Sequence, residues 1–233
     1  GVTATDNVDF DVVPGEIHAV IGPNGAGKTT FVAQIAGMLR QDSGRIVFNG
    51  RDIGRMTAAQ RSHAGLARSF QITSVFKNFT AQENVALSLQ AHAGHSFRFW
   101  KRASTDDRLV EPARQILADV GLAERALVLA GNLAHGEQRQ LEIAMALATG
   151  PKMLLLDEPT AGMGTEESET MRAFMKELKG RYSMLLIEHD MDTVFSLADR
   201  VTVLVYGRSI ATGTPEEIRN NAEVRAAYLG EDE

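Results

Sequence analysis

The chain contains 233 residues, of which 44% are hydrophobic and 23% are charged, which predicts a folded globular domain and excludes disordered and fibrous classes. Its 30 acidic residues outnumber 24 lysines and arginines, and the net charge of −6 argues against general coating of nucleic acid, which needs a basic face. Cysteine is absent and no apolar run approaches the ~18 residues of a membrane span, which argues against disulfides, thiolate metal sites and membrane-spanning helices.

Short β-rich runs alternate with longer helical patterns, which is typical of a mostly parallel sheet covered by helices. Residues 8–12 form an apparent strand in which Phe10 is expected to be buried, and 17–21 form a second one. A glycine-rich turn and a helix from about residue 28 to 39 follow. Alternation at 45–48 and the Asn-Gly turn after it predict an antiparallel hairpin in this part of the chain.

The middle of the chain is predicted to be helical. Strand patterns vanish from about residue 73 to 149, where 112–120 and 137–148 carry apolar residues at helical spacing. Strand patterns then return in three runs, at 153–156, 184–187 and 201–205. Thr214-Pro215 begins a last helix with an N-cap and a proline at its first position. The pattern therefore predicts an α/β body interrupted by a helical insertion.

Residues 22–29 read Gly-Pro-Asn-Gly-Ala-Gly-Lys-Thr and match the pattern G-x-x-x-x-G-K-[ST] between a predicted strand and a predicted helix. Glycines let backbone N–H groups surround a phosphate, and the helix start favours negative charge. Lys28 is expected to reach the β- and γ-phosphates, and the Thr29 hydroxyl to ligate Mg²⁺. A chance match has a probability of about one per cent, so nucleotide binding is favoured over a plain turn. The predicted phosphate-binding residues are Gly22, Pro23, Asn24, Gly25, Ala26, Gly27, Lys28, Thr29 and Thr30.

An apolar strand at 153–156 ends in two acids, Asp157 and Glu158. In P-loop enzymes an aspartate at such a strand end helps to hold Mg²⁺. Glu158 is then placed to orient or deprotonate a water that attacks the γ-phosphate. Adjacent acids at the exposed end of a buried strand are common, so the pair gains its meaning from the phosphate loop. Together they favour hydrolysis or phosphoryl transfer, and kinases, GTPases and motor ATPases stay open at this point.

Residues 133–140 read Leu-Ala-His-Gly-Glu-Gln-Arg-Gln, just before a helical pattern at 141–147. With this motif the sequence resembles the ATP-binding subunits of ABC transporters, whose signature reads L-S-G-G-Q in this place. Gln71, within Arg-Ser-Phe-Gln, resembles the Q-loop glutamine of that family. His189, within Glu-His-Asp, resembles the switch histidine, and 161–164 occupy the D-loop position. The resemblance covers essentially the whole chain.

The resemblance implies a P-loop NTPase (RecA-like) α/β core with an antiparallel β subdomain and an inserted α-helical subdomain. It implies one ATP-binding domain over 1–233. The core is expected at 1–72 and 149–233, and the helical subdomain with the signature at 73–148.

The resemblance also implies roles for individual residues, with ATP and Mg²⁺ as cofactors. Glu158 is expected to act as the general base, His189 as a sensor of the γ-phosphate, and Gln71 as a catalytic residue that also serves the metal. The predicted metal residues are Thr29, Gln71 and Asp157, directly or through water.

A further implication is a site completed by a second ATPase subunit, in a homo- or heterodimer. Two subunits would meet head to tail, so that one subunit's signature meets the nucleotide on the other's phosphate loop. The predicted signature contacts are Ala134, His135, Gly136 and Glu137. Closure would move integral membrane permease subunits through the helical insertion, at the cytoplasmic face of the membrane. A solute-binding protein is an indirect partner, and nucleic acid is not expected to be one.

Four strings are most similar to the subgroup that serves branched-chain amino acid uptake: 68–71, 132–138, 188–191 and the ending 228–230. Urea-uptake and lipopolysaccharide-export ATPases are similar and remain alternatives. A soluble ABC protein of DNA repair or translation is a rival, although such proteins usually carry a long coiled coil or a second cassette. A nucleotide-binding regulator with poor hydrolysis is another.

The signature departs from the family pattern. Ala134 replaces its serine, His135 its first glycine, and Glu137 its glutamine, while Gly164 stands where the D-loop usually has aspartate. Alanine cannot donate to the γ-phosphate, and Glu137 adds negative charge near phosphate unless it points away. We therefore expect altered activation of the partner's site rather than lost ATP binding. A heteromeric pair with unequal sites would accommodate these changes.

The chain begins inside the region where family members carry an N-terminal strand and an aromatic residue that stacks on adenine. Truncation is the favoured expectation, with stacking worth ~1–3 kcal/mol by analogy with base–aromatic contacts. The aromatic and basic run at 97–102 is expected to be an insertion loop rather than a nucleic-acid or lipid surface. Val75, Phe76 and Phe79 are expected to contact a membrane subunit.

Overall fold

A six-stranded sheet and a separate two-stranded hairpin make up the β-structure of residues 3–69, 75–92 and 106–229, the ranges that the computed structural model describes. The strands are β1 (Ile17–Ile21), β2 (Val47–Phe48), β3 (Arg51–Asp52), β4 (Leu66–Arg68), β5 (Met153–Asp157), β6 (Ser183–Ile187), β7 (Arg200–Val205) and β8 (Arg208–Gly213). The helices are α1 (Lys28–Ala36), α2 (Ala58–His63), α3 (Ala81–His92), α4 (Asp107–Asp119), α5 (His135–Leu147), α6 (Thr165–Leu178), α7 (Met191–Leu197), α8 (Pro215–Asn220) and α9 (Ala222–Leu229).

The main sheet has the strand order β4-β5-β6-β1-β7-β8. Every neighbouring pair is parallel except β7 and β8, so the predicted, mostly parallel α/β sheet is confirmed. The central strands β1 and β5 are buried along their whole length, as expected for a sheet that helices cover on both faces.

Alternate residues of each strand enter two different apolar cores. On one face, Leu154 and Leu156 of β5 pack with α5, α6 and α7. On the other face, Leu155 of β5 and Leu185 of β6 pack with Phe31 of α1. The apolar side of α6 belongs to the first face, since Met171, Phe174, Met175 and Leu178 are all buried.

The predicted hairpin is present between β2 and β3. Asn49 and Gly50 both have positive φ, 47° and 74°, which is the backbone of the turn that an Asn-Gly pair favours. Further along the chain, Thr214 caps α8 by accepting from the N–H of Glu217, and Pro215 is its first residue, as predicted.

Helix α1 ends three residues earlier than predicted, at Ala36. Gly37 adopts a left-handed conformation, with φ of 77°, which stops the helix. The buried Arg61 donates to the carbonyl oxygens of Gln34 and Ile35 at 2.6 Å each. It thereby satisfies carbonyl groups that the helix end leaves without a partner.

The predicted strand at 8–12 is wrong. The carbonyl group of Asp11 bonds to the His18 ring at 2.7 Å and to Arg200 at 3.1 Å instead of joining a ladder. Phe10 is half-buried between His18 and Phe31, with ring centroids 4.3 and 5.1 Å away. Apolar and polar side chains therefore alternate here as in a strand, but the backbone bonds to side chains and not to a neighbouring strand.

Between 75 and 148 the described residues form α3, α4, α5 and two short 3₁₀ turns, and the single backbone bridge there joins Thr80 and Leu129. No helix within the described ranges is both long and apolar enough to cross a membrane. The predicted Q-loop residue Gln71 and the aromatic and basic run at 97–102 lie outside the described residues.

Candidate functional site

Three neighbouring strands end at one edge of the sheet, and the predicted site residues follow them. Ile187 of β6 lies between Asp157 of β5 and Val20 of β1 in the strand register. The phosphate loop follows β1, Glu158 follows β5, and His189 follows β6. In open α/β sheets this carboxyl edge is where ligands bind.

The phosphate loop has backbone angles and close contacts that only glycine tolerates. A Cβ on Gly22 would stand 2.1 Å from the carbonyl oxygen of Leu204 at the end of β7. A Cβ on Gly27 would stand 2.0 Å from the carbonyl oxygen of Ala4, and the φ of Gly27 is 98°. These two glycines therefore fix the loop between β7 and the N-terminal segment.

Helix α1 begins directly after the loop. Its N-cap, Gly27, has no side chain, so the N–H groups of the first turn are open to an anion. The Lys28 ammonium donates to the carbonyl oxygens of Gly22 and Pro23, to the latter at 2.9 Å. The exposed Thr29 hydroxyl lies in the same first turn. The loop therefore gathers a cation, N–H donors and a hydroxyl at one helix start.

Asp157 ends β5 with a side chain that is only 4% exposed. Its carboxylate pairs with the Arg68 guanidinium of β4 at 2.7 Å. Arg68 also contacts the sulfur of Met38, just beyond the end of α1. The sequence reasoning missed Arg68, because nothing in the spacing of β4 and β5 shows that the two strands are neighbours.

Glu158 has a left-handed backbone, with φ of 49°, which is uncommon for a residue with a long side chain. Its N–H donates to the carbonyl oxygen of Ile187 at 2.9 Å. One carboxylate oxygen lies 3.7 Å from Nδ1 of His189, whose side chain is 65% exposed. The turn after β5 thus directs the acid toward the residue that follows β6.

Glu188 is a buried carboxylate behind this pair. It accepts from the Thr160 N–H at 3.0 Å, from the Thr160 hydroxyl at 2.5 Å and from the His189 N–H at 3.3 Å. It therefore ties the turn after β5 to the turn after β6. The available signal was a charged residue directly after four apolar strand residues, 184–187.

The signature segment forms the start of α5, with Ala134 as its N-cap. The Glu137 carboxylate bends back, accepting from the Ala134 N–H at 2.9 Å and from Arg125 Nε at 2.8 Å. Its charge is thus directed at an arginine and at the helix start. His135 is exposed, and its ring lies next to Gly162 of the D-loop position.

The donor set at the sheet edge suits magnesium. Mg²⁺ prefers oxygen ligands and is usually held by one or two protein groups together with phosphate oxygens. The Asp157 carboxylate and the Thr29 hydroxyl are such groups. No cluster of three His, Cys, Asp or Glu side chains that could hold a metal alone occurs in the described part of the chain.

An exposed apolar patch lies near the start of α3. Phe76 and Phe79 are 51% and 42% exposed, and their ring centroids are 5.5 Å apart. Leu127 and Leu129 are also exposed, and backbone bonds tie their segment to the start of α3, from the Ala81 N–H to the Val128 carbonyl group. A group of this kind indicates a protein contact.

Comparison with known proteins shows the family of the chain. The family described as "ABC transporter" matches residues 5–161, and that described as "Branched-chain amino acid ATP-binding cassette transporter" matches 208–233. The chain belongs to the ABC transporter family and is one of its ATP-binding ATPase subunits. The predicted class, fold and resemblance are confirmed.

Individual relatives extend this result. The chain is 38% identical to the high-affinity branched-chain amino acid transport ATP-binding protein LivG of Escherichia coli (strain K12), over 99% of this chain and 93% of that one. It is 33% identical to the lipopolysaccharide export system ATP-binding protein LptB of Haemophilus influenzae, over 97% of this chain and 90% of that protein. The ADP conformation of an ATP-binding cassette of an ABC transporter superimposes with a TM-score of 0.86 at 31% identity, over 98% and 93%.

Proposed function

We propose that this chain binds and hydrolyses MgATP as a subunit of a membrane importer for branched-chain amino acids. The observation that carries the chemistry is the meeting of the phosphate loop, Glu158 and His189 at the ends of three adjacent strands. The solute class rests on the match at 208–233 and on the LivG relatives, which are more similar than the export protein LptB.

In the proposed reaction, the loop backbone and Lys28 hold the phosphates of ATP. Glu158 takes a proton from a water molecule while the oxygen of that water bonds to the γ-phosphorus. The bond between the γ-phosphorus and the oxygen that bridges to the β-phosphate breaks, giving ADP and phosphate. His189, close to Glu158, contacts the γ-phosphate. A general base contributes about 10²–10⁴-fold to rate.

Thr29 and Asp157 would hold Mg²⁺, with Gln71 as a further proposed group outside the described residues. When bound, the ion would offset negative charge on the β- and γ-phosphates. The Arg68 pair keeps the Asp157 carboxylate oriented at the strand end.

The start of α5 would meet nucleotide on a second ATPase subunit. Backbone N–H groups at a helix start bind anions whatever their side chains are, so Ala134 and His135 leave that capacity in place. The bond from Arg125 to Glu137 lowers the cost of an acid at this position. The proposed organisation is a core of 1–72 and 149–233 with a helical subdomain of 73–148.

Permease subunits are the proposed partners of the apolar patch of Phe76, Phe79, Leu127 and Leu129. Docking there would bury aromatic surface beside α3 and hold the chain peripherally at the cytoplasmic face of the membrane. A solute-binding protein would act on the permease and not on this chain directly.

Equilibrium ATP binding to wild type, Lys28→Ala and the exposed-residue control Lys176→Ala tests the proposal. Lys28→Ala should weaken ATP binding about 100-fold or more, because charge-assisted bonds to phosphate are lost, whereas Lys176→Ala should bind like wild type. Equal affinity in all three would refute the phosphate role of the loop.

Activity in the assembly tests the transport role. ATP hydrolysis by the chain should rise strongly when a membrane subunit pair and a partner ATPase are added. Phe76→Ser with Phe79→Ser should remove that stimulation while ATP binding stays unchanged. Stimulation that survives the double change would exclude the patch as the docking surface.

A further inference from the structure

A buried ion pair joins α5 to the turn that carries the acids. Arg139 and Glu142 are one helical turn apart, with Nη1 of Arg139 2.7 Å from the Glu142 carboxylate and both side chains at most 5% exposed. Nη2 of Arg139 donates to the carbonyl oxygens of Asp157, at 3.3 Å, and of Glu158, at 3.2 Å.

These two carbonyl groups belong to the peptide planes on either side of the Glu158 Cα atom. One guanidinium therefore holds both planes around a residue whose φ is 49°. Strained backbone of this kind persists only where its surroundings determine it. The Glu158 N–H bond to Ile187 is a third constraint on the same residue.

Stability alone does not account for the pair. Removing two charges from water carries a penalty that their attraction often fails to offset, and apolar replacements of similar volume are often neutral or stabilising. An apolar pair could fill this place between α5 and β5, because Leu141 and Ile143 beside it are fully buried. The guanidinium fork lets Nη1 bond to Glu142 while Nη2 bonds to both carbonyl groups, which apolar side chains cannot do.

We propose that Arg139, held by Glu142, is a positioning residue that sets the backbone of Glu158 for catalysis. The inference rests on the proposed role of Glu158. Arg139 lies five residues after the N-cap Ala134, so the helix that would meet the partner's nucleotide also holds the acid of its own site. Movement of the signature segment would therefore be transmitted to Glu158.

The first test replaces the pair by apolar residues, Arg139→Met with Glu142→Leu. The double variant should fold with a midpoint of thermal unfolding close to wild type and should bind ATP with unchanged Kd. Its kcat should fall roughly 10- to 100-fold, because small misplacements of a reacting group cost that much. A folded double variant with wild-type kcat would overturn the proposal.

Arg139→Lys is the second variant, in case the first does not fold. Lysine keeps the positive charge but has a single nitrogen, so it lacks the fork that places one nitrogen at Glu142 and another at the two carbonyl groups. We expect lower kcat, unchanged ATP affinity and faster hydrogen exchange of the amide at Glu158. Unchanged exchange and kcat would count against a positioning role.

The matched control is Arg61→Lys, a change at another buried arginine, which bonds to carbonyl groups at the end of α1. It should lower the unfolding midpoint without altering kcat or exchange at Glu158. If kcat of Arg61→Lys fell as much as that of Arg139→Lys, general destabilisation would explain the effect of the Arg139 change.

Glu158→Gln, measured alongside, separates this inference from the proposed function. If Glu158→Gln hydrolyses ATP like wild type, the role of Glu158 itself is wrong. If Glu158→Gln is inactive and the Arg139 variants are fully active, only the positioning inference fails.

Discussion

The sheet-edge residues and the signature segment are held in place by different means. At the sheet edge, backbone decides: Gly22 and Gly27 have no space for a Cβ, and Glu158 sits in a left-handed turn. At the start of α5, side chains decide, and the Arg125 bond to Glu137 is the main one. The first region therefore admits few residue types, whereas the second admits changes that leave its helix N–H groups in place.

The largest effect that tests this comparison is expected at the sheet edge. Glu158→Gln keeps the shape of the side chain and removes the proposed base, so kcat should fall about 10²–10⁴-fold while ATP affinity is kept. Steady-state hydrolysis and equilibrium binding measure the two quantities. Glu177→Gln, at an exposed position of α6, is the control and should behave like wild type. If Glu158→Gln retained wild-type turnover, Glu158 would not be the general base.

A substitution in the signature segment should raise turnover, whereas the substitution at the sheet edge lowers it. Ala134→Ser adds a hydroxyl that can donate to phosphate, which at roughly 1.5 kcal/mol for a bond to a charged group predicts about 10-fold faster turnover of the dimer. As an N-cap, serine should also stabilise the chain by about 1 kcal/mol.

Thermal unfolding separates these two effects of Ala134→Ser, and the exposed Ala123→Ser is the control. A more stable variant with unchanged turnover would mean that the start of α5 does not meet phosphate. The sheet edge of one subunit and the start of α5 of the other would then not form one site.

The ion pair at the signature gives a smaller, severalfold effect. Arg125→Ala should leave the Glu137 charge facing phosphate and slow turnover, and adding Glu137→Gln should restore it. High salt should lessen the difference, because the pair is partly exposed and is screened. If the double variant is as slow as Arg125→Ala, repulsion by Glu137 is not the cause.

The smallest effect concerns the buried His18 of β1, the strand that precedes the phosphate loop. Burial lowers the pKa of its imidazole below the ordinary value of 6.5, against the raising effects of the Asp11 carbonyl group and Glu16. The unfolded chain then binds more protons, so stability should be full above about pH 6.5 and should fall as pH decreases toward the lowered pKa. The slope is at most about 1.4 kcal/mol per pH unit.

Urea unfolding at pH 7.5 and 5.5 measures this, with His18→Gln as the non-titrating comparison. The difference between the two pH values should be smaller in His18→Gln than in wild type. Equal pH dependence would mean that groups other than His18 set it.

Regular local patterns predicted much of the fold. Strands β1, β5, β6 and β7, the Asn49-Gly50 turn and the start of α8 followed from spacing and turn chemistry, and so did the phosphate loop. The three-residue strand β4 has too short a pattern to detect. Strand β8 was also missed, because its residues are exposed or only partly buried and lack apolar alternation.

The contacts that organise the site were harder to predict, because they join distant parts of the chain. Arg68 and Asp157 are 89 residues apart, and Arg139 and Asp157 are 18 apart. Arg139 and Glu142 were not identified from the sequence, and only the packing of α5 on β5 shows what they hold.

The left-handed backbone of Glu158 lowers thermal stability at a residue that is proposed to be needed for turnover. Glycine or asparagine adopts such angles at lower cost, so a search that selected only for thermal tolerance would tend to replace this acid. With the proposed role of Glu158 as the base, a glutamate at this position serves catalysis at the expense of backbone stability.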